Sequence, residues 1–209
     1  VKEVLDRHDI IFIDDEVICG FGRTGETFGA VTYGMQADTM TLAKGLSSAY
    51  MPISAVLVPD WMYEAMIEPS AANGAFGHGF TYSGHPVSCA VALKTIELME
   101  EWAVMDHVRA LAPKFQARLR GFSDHPLVGE ARGVGLVGAL ELVADKAAKT
   151  PFDPKQGVGM ACYKACMEEG LIIRAIGDSI AFCPPLVITE DEMEEMFARF
   201  GRALDRVTV

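Results

Sequence analysis

Phe12-Ile13-Asp14-Asp15-Glu16-Val17-Ile18-Cys19-Gly20-Phe21-Gly22-Arg23-Thr24-Gly25 is the stretch on which the reading of this chain turns. It begins inside the β-branched and aromatic run Ile10-Ile11-Phe12-Ile13, whose length and apolarity predict a buried strand. Three acids close that run, and the glycines that follow, continuing to Gly29 and Gly34, mark a loop. Residues 20–25 formally spell G-x-G-x-x-G. A dinucleotide fingerprint needs its glycines at the strand end and a helix opening onto the pyrophosphate. Here Asp14, Asp15 and Glu16 intervene with charge that repels phosphate, and residues 27–34 show no helical period. A nicotinamide-dependent oxidoreductase is therefore the weaker reading. Carboxylates at a strand end instead suit a ligand site in a doubly wound type of α/β sheet.

Outward from this stretch, residues 39–43 predict a second strand, closed by Lys44-Gly45, and residues 54–58 a third, stopped by Pro59. Asp60 opens a short helix to Met66, and the Gly-, Ser- and Ala-rich residues 69–84 read as a long loop. A helix is predicted over 86–101, with Val87, Ala90, Val91, Ile96 and Leu98 at its apolar positions, and another over about 105–119. Residues 134–143 read as a strand, and Asp153-Pro154 as a helix start whose stop is Gly170. Residues 171–173 and 179–182 are two more strand candidates. Thr189 and Glu192 form a capping box ahead of a last helix, whose core stripe is Met193, Met196, Phe197, Phe200 and Leu204. Most of the excess of acids lies before residue 105, so the α/β pattern divides into residues 1–104 and 105–209.

Lys44 stands apart: no other Lys or Arg lies between Arg23 and Lys94. A lone amine at the end of an apolar strand is expected to be desolvated, which favours the neutral, nucleophilic form. A carboxylate at one strand end and an isolated lysine at the next are the two protein groups that a pyridoxal phosphate site requires. The acid keeps the pyridine nitrogen protonated, and the lysine holds the cofactor as an imine.

The opening stretch resembles the D-E-V-x-x-G-F-G-R-T-G signature of the class III, fold-type I, pyridoxal-phosphate-dependent aminotransferases. The spacing from Asp15 to Lys44 and the segment Tyr50-Met51-Pro52-Ile53-Ser54-Ala55 fit that family. His78 followed by Gly79-Phe80-Thr81-Tyr82-Ser83-Gly84-His85-Pro86 is similar to its H-G-x-T-Y-S-x-H-P segment. Arg174-Ala175-Ile176-Gly177-Asp178, with Pro184-Pro185-Leu186 beyond, is similar to its C-terminal-domain signature. The resemblance implies the later part of a large, mixed or mostly parallel sheet domain in residues 1–104, and a complete small α/β domain in 105–209. It implies Asp15 as the pyridinium partner, Val17 packed on the ring, Glu16 orienting the site, and Lys44 as cofactor attachment point and proton shuttle. Thr81 would reach the phosphate of the neighbouring subunit's cofactor, making a homodimer, with Phe80 lining the shared site. Arg174 would grip a substrate carboxylate, the task for which a planar guanidinium is suited.

The implied reaction moves an amino group from an amine or ω-amino acid to a keto acid such as pyruvate, most like the ω-amine:pyruvate branch. Members acting on 4-aminobutyrate or acetylornithine, aminomutases, and a non-catalytic fragment of the fold are the alternatives. The family places a phosphate-binding turn and a ring-stacking aromatic before the Asp motif. The 209 residues are therefore expected to be the C-terminal part of a longer enzyme and inactive alone.

Composition narrows the field further. Half of the residues are hydrophobic and 22% charged, enough to bury a core. The net charge of −11 lacks the basic footprint of a nucleic-acid binder, and no apolar run has the length of a membrane span. Five cysteines without C-x-x-C pairing read as buried thiols in a reducing cytoplasm, and no set of residues has metal-ligand spacing.

Overall fold

In the computed structural model, which describes residues 1–208, the opening apolar run becomes a strand later than its composition predicts. β1 is Ile13–Asp15, so two of the acids lie within the strand. Nor is the run buried: Ile10, Ile11 and Ile13 are about half exposed or more. β1 pairs in parallel with β2 (Thr39–Leu42), and β2 pairs antiparallel with β3 (Ala55–Leu57), giving a mixed three-stranded sheet in the order β1-β2-β3. Helix α1 (Lys2–Arg7) precedes the sheet, and Lys2 reaches Asp38, whose other carboxylate oxygen accepts from the Phe12 N–H at 2.8 Å. The short α2 (Gly29–Thr32) follows the glycine loop. Helix α3 (Asp60–Ala72) runs through Pro69 into the predicted loop, and α4 is Pro86–Glu101. On α4 the buried positions are Ser88, Ala92, Thr95 and Met99 rather than the predicted apolar set, and Val87 is exposed. These elements make up a first compact unit, Val1–Met105.

The second unit, Asp106–Val209, holds a four-stranded antiparallel sheet in the order β4-β5-β7-β6. β4 (Val128–Val134) and β5 (Val137–Leu142) form a hairpin around Gly135-Leu136 where one strand was predicted. β7 is Ser179–Phe182, as predicted, but β6 is Arg174–Ile176, not residues 171–173. Helices α5 (Val104–Gly121), α6 (Val158–Glu168) and α7 (Glu190–Leu204) complete the chain. On α5, Val108, Leu111, Phe115 and Leu119 recur at three- and four-residue intervals and are all buried. On α7 the buried face is Met193, Phe197, Phe200, Ala203 and Leu204, with Met196 half-buried. Aromatic rings fill the space between helices and sheet: Phe182 meets Phe200 edge-on at 4.8 Å, and Phe115 meets Phe197 at 5.2 Å. Among the described residues no helix is long and apolar enough to cross a membrane.

Candidate active site

Parallel pairing decides where the chemistry gathers. Asp15 lies opposite Thr41, and the Glu16 N–H extends the ladder by donating to the Thr41 carbonyl at 3.0 Å. Strands running the same way end on the same edge, so Asp15 closes β1 beside the end of β2, and Lys44 follows β2 after Ala43. Ligands of open α/β sheets bind at such carboxyl ends.

Asp15 is exposed and held from one side. Its Oδ1 accepts from the Thr41 hydroxyl at 3.0 Å and from the Val17 N–H at 3.2 Å, while Oδ2 carries no hydrogen bond among the described residues. Val17, two residues on, is half-buried.

Alternation along the strand sends Asp14 and Glu16 to the other face. Glu16 is 1% exposed, and its Oε1 accepts from the Ala30 N–H at 2.7 Å. It thereby ties the glycine loop and α2 to the end of the strand. Burial first, and then the charge of Glu16, push the half-buried Asp14 above the ordinary carboxylate range. Among the described residues, Asp14 Oδ2 and Glu16 Oε2 are both buried without a hydrogen bond of standard geometry.

Lys44 is exposed, with no side-chain hydrogen bond or ion pair among the described residues. The burial expected for it is not seen among the described residues. Its backbone is unusual: φ is +43°, a left-handed conformation that a side-chain-bearing residue adopts at a cost. It opens a single 3-10 turn, Lys44–Leu46. The glycine loop braces that turn from behind. Phe21, itself at φ +67° and buried, donates its N–H to the Thr27 carbonyl at 2.6 Å. A Cβ on Gly45 would stand 3.0 Å from Phe21 Cβ and 3.1 Å from the Gly20 carbonyl oxygen, so only glycine fits after Lys44 without displacing the loop. The G-F-G triplet is thus a wedge under the lysine turn, a role that sequence reasoning missed.

Phe80 and Thr81 lie in the segment between α3 and α4, and both are exposed. Ser83 steadies that segment by accepting from the Phe80 N–H at 2.9 Å. Phe80, with Ile53, Tyr63, Phe76, Tyr82 and His85, lines an open, largely apolar hollow of about 1610 Å³ that neither Asp15 nor Lys44 lines. In the second unit, Arg174 opens β6 in register with Ala181, which pairs in turn with Ala139 and that with Arg132. Of the two arginines on this row, Arg132 is held by Glu141 at 2.9 Å and Ser179 at 3.1 Å. Arg174 is exposed and carries no ion pair among the described residues, which leaves its fork open to an anion.

Comparison with known proteins bears on what these groups serve. The family model described as aminotransferase class-III matches residues 1–204. A putrescine–pyruvate aminotransferase of Pseudomonas aeruginosa is 49% identical over 207 residues, covering 99% of this chain and 44% of that protein. A chloroplastic gamma aminobutyrate transaminase 3 of Solanum lycopersicum is 44% identical over 204 residues, covering 98% of this chain and 39% of that one. Among solved structures, the PMP-bound form of an aminotransferase from Vibrio fluvialis superposes with a TM-score of 0.94 at 44% identity, covering 98% of this chain and 45% of that one. The chain spans less than half the length of these relatives.

Proposed function

This chain belongs to the class III aminotransferase family, and on that premise we propose that it carries the acid and the lysine of a pyridoxal-phosphate-dependent transaminase. The observation that supports this most is the shared strand edge: among the described residues, an Asp15 oxygen free of hydrogen bonds ends β1 and an unpaired Lys44 stands just past the end of the adjacent parallel β2.

The donor set suits pyridoxal 5'-phosphate: a carboxylate fixed through one oxygen can face a ring nitrogen with the other, and an unpartnered amine is free to bond to an aldehyde. Bound there, the protonated ring supplies an electron sink for the pair released when a Cα–H bond breaks. Asp15 Oδ2 holds the proton on the ring nitrogen. Lys44 Nζ would anchor the cofactor and, as the amine beside the substrate, would take up the Cα proton and hold it for return to the cofactor's aldehyde carbon, on the far side of the nitrogen. Val17 covers one ring face. Thr81 donates its hydroxyl to a phosphate in a partner subunit, with Phe80 beside it, which makes the active enzyme a homodimer. Arg174 takes a substrate carboxylate in its open fork. The five cysteines, all free thiols, support a reducing compartment such as the cytoplasm.

An amine or ω-amino acid as donor and a keto acid such as pyruvate as acceptor are supported by the 49% identity to the putrescine–pyruvate enzyme. The 44% identity to the gamma aminobutyrate transaminase favours a second reading, with 4-aminobutyrate as donor. In the full-length protein, Lys44→Ala is expected to lower turnover by about 10²–10⁴-fold, the usual share of a positioned acid–base group. Asp15→Asn, which keeps the shape and loses the charge, is expected to cost about 100-fold or more. Rates with diamine and 4-aminobutyrate donors separate the two substrate readings. Parental turnover in Asp15→Asn overturns the assignment of that acid.

A further inference from the structure

We propose that Thr41 is a positioning residue for the cofactor site, acting through Asp15; the proposal rests on the reading of Asp15 given above. Thr41 is the direct cross-strand partner of Asp15 in the parallel pair, and its hydroxyl donates to Asp15 Oδ1 at 3.0 Å. The Val17 N–H donates to the same oxygen at 3.2 Å. Two donors converging on one oxygen fix the carboxylate's rotation and leave Oδ2 as the oxygen turned to the ring nitrogen. The Val17 contact spans only two residues, at the start of the loop, whereas Thr41 is set in a strand and comes from across the ladder. Threonine also suits the task better than serine. Branching at Cβ leaves few side-chain rotamers on a strand, so the hydroxyl is aimed before any cofactor arrives. Thr41 touches neither cofactor nor substrate in this account; it decides which carboxylate oxygen is offered to them.

The test uses the full-length protein in four forms: parental, Thr41→Val, Thr41→Ser and Asp15→Asn. Dissociation constants for pyridoxal 5'-phosphate are measured by absorbance titration of the apoenzyme, and unfolding temperatures are measured on the same apoenzymes. Thr41→Val keeps the shape and loses the donor, and is expected to weaken cofactor binding about 10-fold, the order of one hydrogen bond to a charged group. Its apoenzyme unfolding temperature is expected to stay within a few degrees of the parental one. Thr41→Ser is expected to recover most of the affinity. If Thr41→Val binds cofactor as the parent does while Asp15→Asn does not, Thr41 has no positioning role and the reading of Asp15 stands. If Asp15→Asn also binds and turns over as the parent does, the reading of Asp15 has failed. Loss of affinity in both threonine variants with a matching fall in unfolding temperature overturns the proposal in favour of a structural role.

Discussion

Asp14 and Asp15 are neighbours with opposite environments, and the strand's alternation is the cause. Asp15 is exposed, with its Oδ1 held by two donors, while Asp14 shares the half-buried side with Glu16. Burial and then Glu16 raise Asp14, so the folded protein keeps a proton that the unfolded chain releases near the ordinary value of about 3.9. Stability therefore falls as pH rises from that value through the raised one, and stays at the lower level above it. Asp14→Asn removes the group that titrates. Its unfolding temperature is expected to fall less than the parent's between pH 4 and pH 7, as followed by calorimetry, and to be the higher of the two at neutral pH. A variant less stable than the parent at pH 7 contradicts this account of the pair. Of the candidate site, Lys44 stands out in the sequence because it is the one lysine or arginine in a long neutral and acidic stretch. The tasks of Glu16 and Phe21 were not: both depend on the glycine loop folding back, a contact between residues distant in sequence that no local pattern encodes.

Elements were legible where their ends carry their own chemistry. Thr189 and Glu192 mark the start of α7, and the capping box forms there, with the Thr189 hydroxyl accepting from the Glu192 N–H at 3.2 Å. β4 was illegible for the opposite reason. Its glycines suggest a loop, yet they are there to admit close neighbours: a Cβ on Gly133 would stand 2.5 Å from the Val137 carbonyl oxygen, and one on Gly129 would be 2.7 Å from the Val143 methyls. Leu171-Ile172-Ile173 looked like a strand by composition, but pairing with β7 begins only at Arg174, and Ile172 is left 83% exposed. The docking of α6 offers the sharpest prediction at this scale. The Gly159 N–H donates to Asp178 Oδ1 at 2.8 Å, and a Cβ on Gly159 would fall 2.0 Å from the Gly177 carbonyl oxygen. Gly159→Ala forces the helix off the β6–β7 turn and is expected to destabilise the protein by about 1–3 kcal/mol, the range for overpacking a close contact. Denaturant titration reads this directly, and an unchanged midpoint shows that the turn yields freely.

For the whole molecule, the groups proposed for the chemistry come from separate pieces of structure: Asp15 on the first sheet with Lys44 in the turn after β2, Thr81 in the segment before α4, Arg174 on the second sheet. Many large apolar side chains of the first unit are exposed, among them Ile11, Ile13, Val56, Leu57 and Trp61, a surface of the kind that other chain segments or subunits cover. In the homodimer proposed above, the full-length protein sediments as a dimer, and Thr81→Val weakens cofactor binding without changing sedimentation. A monomer that binds cofactor as tightly as the parent contradicts the shared site. The central claim, that Lys44 is the residue to which the cofactor bonds, has a direct test. The full-length protein is loaded with pyridoxal 5'-phosphate, reduced with borohydride, digested and sequenced by mass spectrometry. The account predicts a stable phosphopyridoxyl group on Lys44 and none on any other lysine in the parental protein; a modification elsewhere, or no modification at Lys44, contradicts it.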